Sequence, residues 1–161
     1  MYNIISMGPK ASGGGSSVPS IPNRSLSFVR ASSQSLSMSS TNFGSFDRAK
    51  FALSLWVKKT SNNVGGGFFC MADNWPYIEM GFNDSNQIIF HTRDSGGTRY
   101  QITTPTYTST TSWYHILFHY DSANGTTGDR KRIWVNGSEV TSFNNDDVPG
   151  GAVISNTDDL K

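Results

Sequence analysis

The feature that most constrains this chain is a two-residue hydrophobic period that never gives way to a helical one. In residues 51–57, Phe51, Leu53, Leu55 and Val57 fall on one face, while Ala52, Ser54 and Trp56 fall on the other. Side chains alternate across a strand, so a run of this kind is a half-buried β-strand. Leu26 and Phe28 repeat the pattern, as do Leu36 and Met38 among serines. Further strands are expected over 68–72, 77–83, 87–92, 98–103, 113–120 and 132–135. No segment sustains apolar residues at i, i+3, i+4 and i+7, so helix is expected to be minor.

The intervals between these runs carry turn chemistry: Asn62-Asn63-Val64-Gly65-Gly66-Gly67, Asn83-Asp84-Ser85-Asn86, Asp94-Ser95-Gly96-Gly97 and Asn136-Gly137. The last is the sharpest, because both residues tolerate the positive φ of a type I′ hairpin. Asn83 to Asn86 predicts a second hairpin between 77–82 and 87–92. Many short strands at this spacing specify a sandwich or barrel. Only 35% of the residues are hydrophobic, but ten Phe, six Tyr and four Trp bury a large area each and suffice for one core.

Charge narrows the partners. Thirteen basic against twelve acidic residues leave a net charge of +1, with no excess to hold a phosphate backbone, so nucleic acid is not the expected partner. Cys70 stands alone; within Phe68-Phe69-Cys70-Met71-Ala72 it reads as a small core residue rather than a nucleophile. No run is long and apolar enough for a membrane span, and Met1 to Lys10 lacks the basic and apolar regions of a secretory signal.

Residues 11–23 are almost wholly Gly, Ser and Pro, with Gly13-Gly14-Gly15, Pro19 and Pro22, and read as a linker. The ten residues before it are more apolar. Two readings of them stand: a disordered terminus, or an anchoring peptide in which Tyr2, Ile4, Ile5 and Met7 dock on a partner. The folded domain is expected over 24–161.

Five segments then come in a telling order: SLSFVRASSQSLSM from Ser25, FALSLWVKKT from Phe51, QIIFHTR from Gln87, TSWYHILFHYDSANG from Thr111 and DRKRIWVNGSEVTSF from Asp129. Together they resemble the laminin-G-like, concanavalin-A-like jelly roll. Trp113-Tyr114-His115 and Trp134-Val135-Asn136-Gly137 are the most specific pieces. The resemblance runs from about Ser25 to Phe143. The Asp129-Arg130 step and Val140-Thr141-Ser142-Phe143 are most similar to the branch found in bacteriophage tail-fibre, head-fibre and capsid decoration proteins.

That resemblance implies an all-β, two-sheet antiparallel sandwich that binds glycans or proteins, sometimes with calcium. It implies a virion structural protein assembled in the host cytoplasm, as a homo-oligomer within a larger assembly that contacts other virion proteins through the N-terminal tail. A carbohydrate-binding, lectin-like module is the alternative, and a glycoside hydrolase a third reading. Members of the family usually continue with more strands. Residues 144–161 offer only Ala152-Val153-Ile154, so the domain is expected to lack its C-terminal strands, either because the natural chain is longer or because a partner supplies the edge.

Catalysis is not expected. Glycosidic cleavage needs two carboxyls flanking the bond, and no Glu-x-Asp-x-x-Glu strand occurs; Glu79 stands alone and Glu139 adjoins the Asn-Gly turn. His115 and His119 share a strand face but lie roughly 13 Å apart, too far for one ion; the family resemblance makes His115 structural. Asp121, Asn124 and Asp129 frame a loop whose oxygens suit calcium, although Asp and Asn are also ordinary turn residues. Trp75, Tyr77 and Trp134 are the candidate ligand-contacting aromatics, while Trp56 and Trp113 read as packing residues.

Overall fold

The computed structural model describes residues 2–5, 26–28, 49–71, 77–94 and 97–146. Eleven strands are present there: β1 (Tyr2–Ile5), β2 (Leu26–Phe28), β3 (Lys50–Lys59), β4 (Gly66–Met71), β5 (Tyr77–Phe82), β6 (Ile88–Asp94), β7 (Gly97–Thr103), β8 (Tyr114–Asp121), β9 (Lys131–Val135), β10 (Ser138–Glu139) and β11 (Phe143–Asp146). The one helical element among the described residues is a 3-10 turn at Thr127–Asp129. One sheet runs β10-β9-β8-β3-β1-β2 and the other β11-β7-β6-β5-β4, and every pairing is antiparallel. The expected all-β two-sheet sandwich is therefore the observed architecture, consistent with the jelly-roll reading.

Parity builds the core. Phe51, Leu55 and Val57 of β3 are buried on the inner face, with Tyr114, Ile116, Phe118 and Tyr120 of β8 beside them and Ile133 and Val135 of β9 next. The opposing sheet contributes Phe68, Ile78, Met80, Phe82, Ile88 and Phe90. Rings meet across the gap: Phe90 lies 5.4 Å from Phe118 edge-on and 5.9 Å from Tyr120, and Phe68 lies 5.9 Å from Phe118. Burying side chains of this size is the main stabilising term for a sandwich of short strands.

Both expected hairpins form. Asn136 and Gly137 adopt φ of 52° and 84°, and Ser138 folds back opposite Val135. At the other, Asn86 has φ 62°, and Asn83 Oδ1 accepts from the backbone N–H of Ser85 and Gln87.

Two expectations are corrected, and the N-terminal segment gains a defined place. Cys70 is exposed, not a core residue. The register of β4 against β5 shifts between Gly67 and Phe69; the extra residue of such a bulge resets which side the following side chains take. Phe68 and Phe69 both pack on the core, and Cys70 falls opposite the outward Glu79. The N-terminal peptide, read either as a disordered terminus or as an anchoring peptide, contributes β1 to this chain's own sheet. Tyr2, Asn3, Ile4 and Ile5 lie opposite Lys59, Lys58, Val57 and Trp56. The long ladder edge of β3 gives an alternating segment somewhere to bond at home; Met7 lies outside the described residues. Second, the polar stretch after Phe143 forms β11, whose Asn145 and Asp146 pair with Ile102 and Gln101 despite a sequence with no apolar alternation. Residues 147–161 lie outside the described residues, as does the 11–23 linker.

Two buried lysines tie the sheets together at opposite ends. Lys59, last residue of β3, donates to Asn86 Oδ1 at 2.5 Å and to the Tyr107 carbonyl at 3.0 Å, with its ammonium 4.7 Å from the centre of the Phe82 ring. Lys131, first residue of β9, donates to the Arg99 carbonyl at 3.2 Å and sits 5.2 Å from the Phe90 ring centre. Their stems fill core volume while carbonyl oxygens and ring faces solvate the charge.

Candidate functional site

The outer face of the six-stranded sheet gathers the side chains that parity turns away from the core. Trp56 of β3 lies opposite His115 of β8, Ser54 opposite Leu117, and Leu117 opposite Trp134 of β9. Trp56 is 41% exposed, the most exposed large hydrophobic residue among those described. Its ring centre lies 5.0 Å from that of His115 at an interplanar angle of 33°. His115 Nε2 is 2.8 Å from Ser54 Oγ. The His115 backbone N–H donates to Asn136 Oδ1 at 2.9 Å, and the Asn136 N–H donates to the His115 carbonyl at 2.8 Å. The two most specific sequence pieces thus lock onto each other: the Asn of the hairpin turn fixes the strand that presents the histidine.

Along the same face, Trp134 is half-buried. The Arg132 guanidinium lies 5.1 Å from its ring centre, and the His119 ring approaches edge-on at 6.5 Å. Arg132 donates from Nε and Nη2 to the two carboxylate oxygens of Glu139 at 2.6 and 2.7 Å, a fork geometry that fixes both side chains. Glu139 also borders a groove of about 360 Å³ between the Pro105–Tyr107 passage and the chain leaving β10, with Val135 and Val140 in its wall. One indole in solvent, a second covered by a cation, and fixed hydroxyl, imidazole and carboxylate groups suit a partner that is apolar on one face and hydroxylated at its rim.

The other outer face carries a second row, in which Cys70, Glu79, His91 and Tyr100 lie opposite one another across β4 to β7. His91 Nδ1 is 3.5 Å from Glu79 Oε2, and the Tyr100 ring stacks on His91 at 4.2 Å. The chain's two glutamates, Glu79 and Glu139, stand on different sheets. Among the described residues no group of three or more His, Cys, Asp or Glu side chains is placed to hold a metal.

Of the expected calcium ligands, Asp121 and Asn124 share a turn, with the Asn124 N–H donating to the Asp121 carbonyl at 3.0 Å. Their side chains are engaged elsewhere. Lys50 Nζ lies 2.8 Å from Asp121 Oδ2, and Asn124 Oδ1 accepts from the Thr126 N–H at 2.8 Å. Asp129 Oδ1 lies 3.8 Å from Arg132 Nη1. The Lys50 hydrogen bond, reinforced by its charge, outweighs desolvation and holds the Asp121 carboxyl below its ordinary 3.8. The partner this structure gives the central carboxylate of the set is thus the Lys50 ammonium.

Of the expected aromatic contacts, Trp134 lies on the outer face, Tyr77 opens β5 opposite Arg93, and Trp75 lies outside the described residues. Sequence alone makes Trp56 a packing residue and His115 a structural one. The alternation already places both on the face opposite Phe51, Leu55, Tyr114 and Ile116. What sequence did not show was whether another layer covers that face.

Two antiparallel sheets packed face to face, with almost no helix among the described residues, define the concanavalin A-like class of β-sandwiches. The family described as the concanavalin A-like lectin/glucanases superfamily matches residues 30–159, and the chain belongs to it. The match continues past Phe143, where the sequence resemblance was expected to stop. The family is laminin-G-like, largely non-catalytic, and includes lectin-like and adhesion modules as well as some glycosidases. No curated protein and no solved structure matches the chain.

Proposed function

We propose that this chain is a non-catalytic adhesion module that binds carbohydrate on the outer face of its six-stranded sheet, and that it serves as a displayed domain of a virion appendage. The observation that carries the binding reading is the exposed Trp56 indole beside His115 and Ser54, on the same face as Trp134. A sugar ring lays its C–H face on an indole, and its hydroxyls take the neighbouring imidazole, hydroxyl and carboxylate groups. The virion setting is supported by the similarity of Asp129-Arg130 and Val140 to Phe143 to the bacteriophage branch. In that setting its partners are other virion proteins and surface glycans rather than nucleic acid.

Two measurements test the reading. On a glycan array followed by calorimetry, Trp56→Ala is expected to weaken binding at least about tenfold, or roughly 1.4 kcal/mol, while leaving the melting transition in place. Binding of the intact chain to no glycan, or unchanged binding by Trp56→Ala, overturns the sugar reading. Chelator is expected to leave binding unchanged, because Lys50 holds the Asp121 carboxylate. Mass spectrometry of purified particles tests the setting, and absence of the chain from them overturns it.

A further inference from the structure

The strand at Tyr2–Ile5 occupies an unusual place for its position in sequence. It lies inside the six-stranded sheet, with Asn3 opposite Lys58 of β3 on one side and opposite Ser27 of β2 on the other. Sequential antiparallel neighbours are ordinarily joined by two to five residues. Here residues 6–25 separate them, including Gly13-Gly14-Gly15, Pro19 and Pro22. A connection of that length spans up to roughly 70 Å when extended. A domain of this size has a radius of gyration of about 15 Å. The connection therefore neither compels β1 to return to its own sheet nor confines it there. Without β1, residues Trp56 to Lys59 of β3 lose their partner on that side, and β2 loses its only partner among the described residues.

We propose that β1 is an exchangeable strand: Tyr2–Ile5 of one copy fills the slot between β2 and β3 of a second copy, in the register it takes at home. The ladder bonds are the same in both arrangements, so concentration decides between them. A tether of this kind gives the chain's own strand an effective concentration on the order of 1 mM. Dilute copies close on themselves, and copies arrayed side by side exchange strands and become linked. The sugar reading does not enter this argument, and either can fail without the other.

The test uses full-length chains carrying Cys70→Ser. One adds Asn3→Cys and the other Lys58→Cys, two positions opposite each other in the ladder. Opposed antiparallel residues lie about 4.5–5.5 Å apart at Cα, within disulfide range. After the two are mixed and oxidised, a covalent heterodimer is expected on a non-reducing gel. Its yield rises with concentration and exceeds several-fold that of Asn3→Cys mixed with the out-of-register Ala52→Cys. Deleting residues 8–23 leaves a hairpin-length loop and is expected to suppress the dimer. A chain carrying both Asn3→Cys and Lys58→Cys reports closure at home. Heterodimer no more abundant than the out-of-register control, while that double variant closes on itself, overturns exchange. Failure of the double variant to form any disulfide overturns it too, because the register itself is then absent.

Discussion

Asn86 carries more of the loop architecture than its size suggests. It is buried with φ 62°, and its Oδ1 accepts from both Lys59 Nζ and the Asn63 N–H. Its Nδ2 donates to Asn63 Oδ1 at 2.7 Å, and its carbonyl accepts from the Tyr107 N–H. Asn86→Ala removes these side-chain bonds and leaves the buried ammonium one of its two acceptors, the Tyr107 carbonyl, so a loss of about 2–4 kcal/mol is expected in urea denaturation. Burial lowers the Lys59 pKa from its ordinary 10.5. Below the folded-state value both folded and unfolded chains hold the proton, and the cost of burying the charge is fully present. As pH rises from that value toward 10.5 the folded chain releases its proton first, so stability rises over this window. A plot of unfolding free energy against pH is expected to climb there for the natural chain and to lose that climb in Lys59→Met. A wild-type curve that falls across the window would contradict the assignment.

At the scale of the element, the strands show what was legible in sequence and what was not. The alternation of Phe51 to Val57 and of Tyr114 to Tyr120 specifies strand and inner face at once, because each period-two run has one plausible buried side. The Asn136-Gly137 turn was equally legible, and Gly137→Val is expected to cost about 1–2 kcal/mol at its φ of 84°, read as a lower melting temperature. The face assigned to Cys70 was not legible: a bulge shifts register without altering composition, and it arises from how β4 meets β5. Gly81 marks that meeting, since a Cβ there would lie 2.8 Å from the Gly67 Cα and closer still to the Gly66 carbonyl oxygen. Gly81→Ala is expected to destabilise by about 3 kcal/mol or more, with hydrogen exchange accelerating first in β4. The exposure of Trp56 escaped for a related reason, as did the pairing of β11. Both depend on which layers and edges come together, which no local pattern encodes.

Among the described residues, one aromatic core is closed between two sheets and pinned at each end by a lysine. Lys59 bonds Asn86 and Tyr107 while Lys131 bonds Phe90 and Arg99 at the other end, so their losses should be independent. Lys59→Ala and Lys131→Ala are each expected to cost about 2–4 kcal/mol, and the double variant their sum to within about 0.5 kcal/mol. Denaturant titrations of the four proteins decide this; a double variant no worse than the singles would show that the pins act as one unit. Pins of this kind oppose sliding of one sheet over the other, and a stiffer face lowers the ordering cost of binding a partner on it. The placement of Trp56 has an optical consequence too. An indole 41% open to water beside an imidazole emits at long wavelength and is quenched by contact. Anything that settles on that face dries the ring, so a blue shift of intrinsic fluorescence, reduced in Trp56→Phe to what Trp134 on the same face supplies, makes the protein its own dye for finding what it holds.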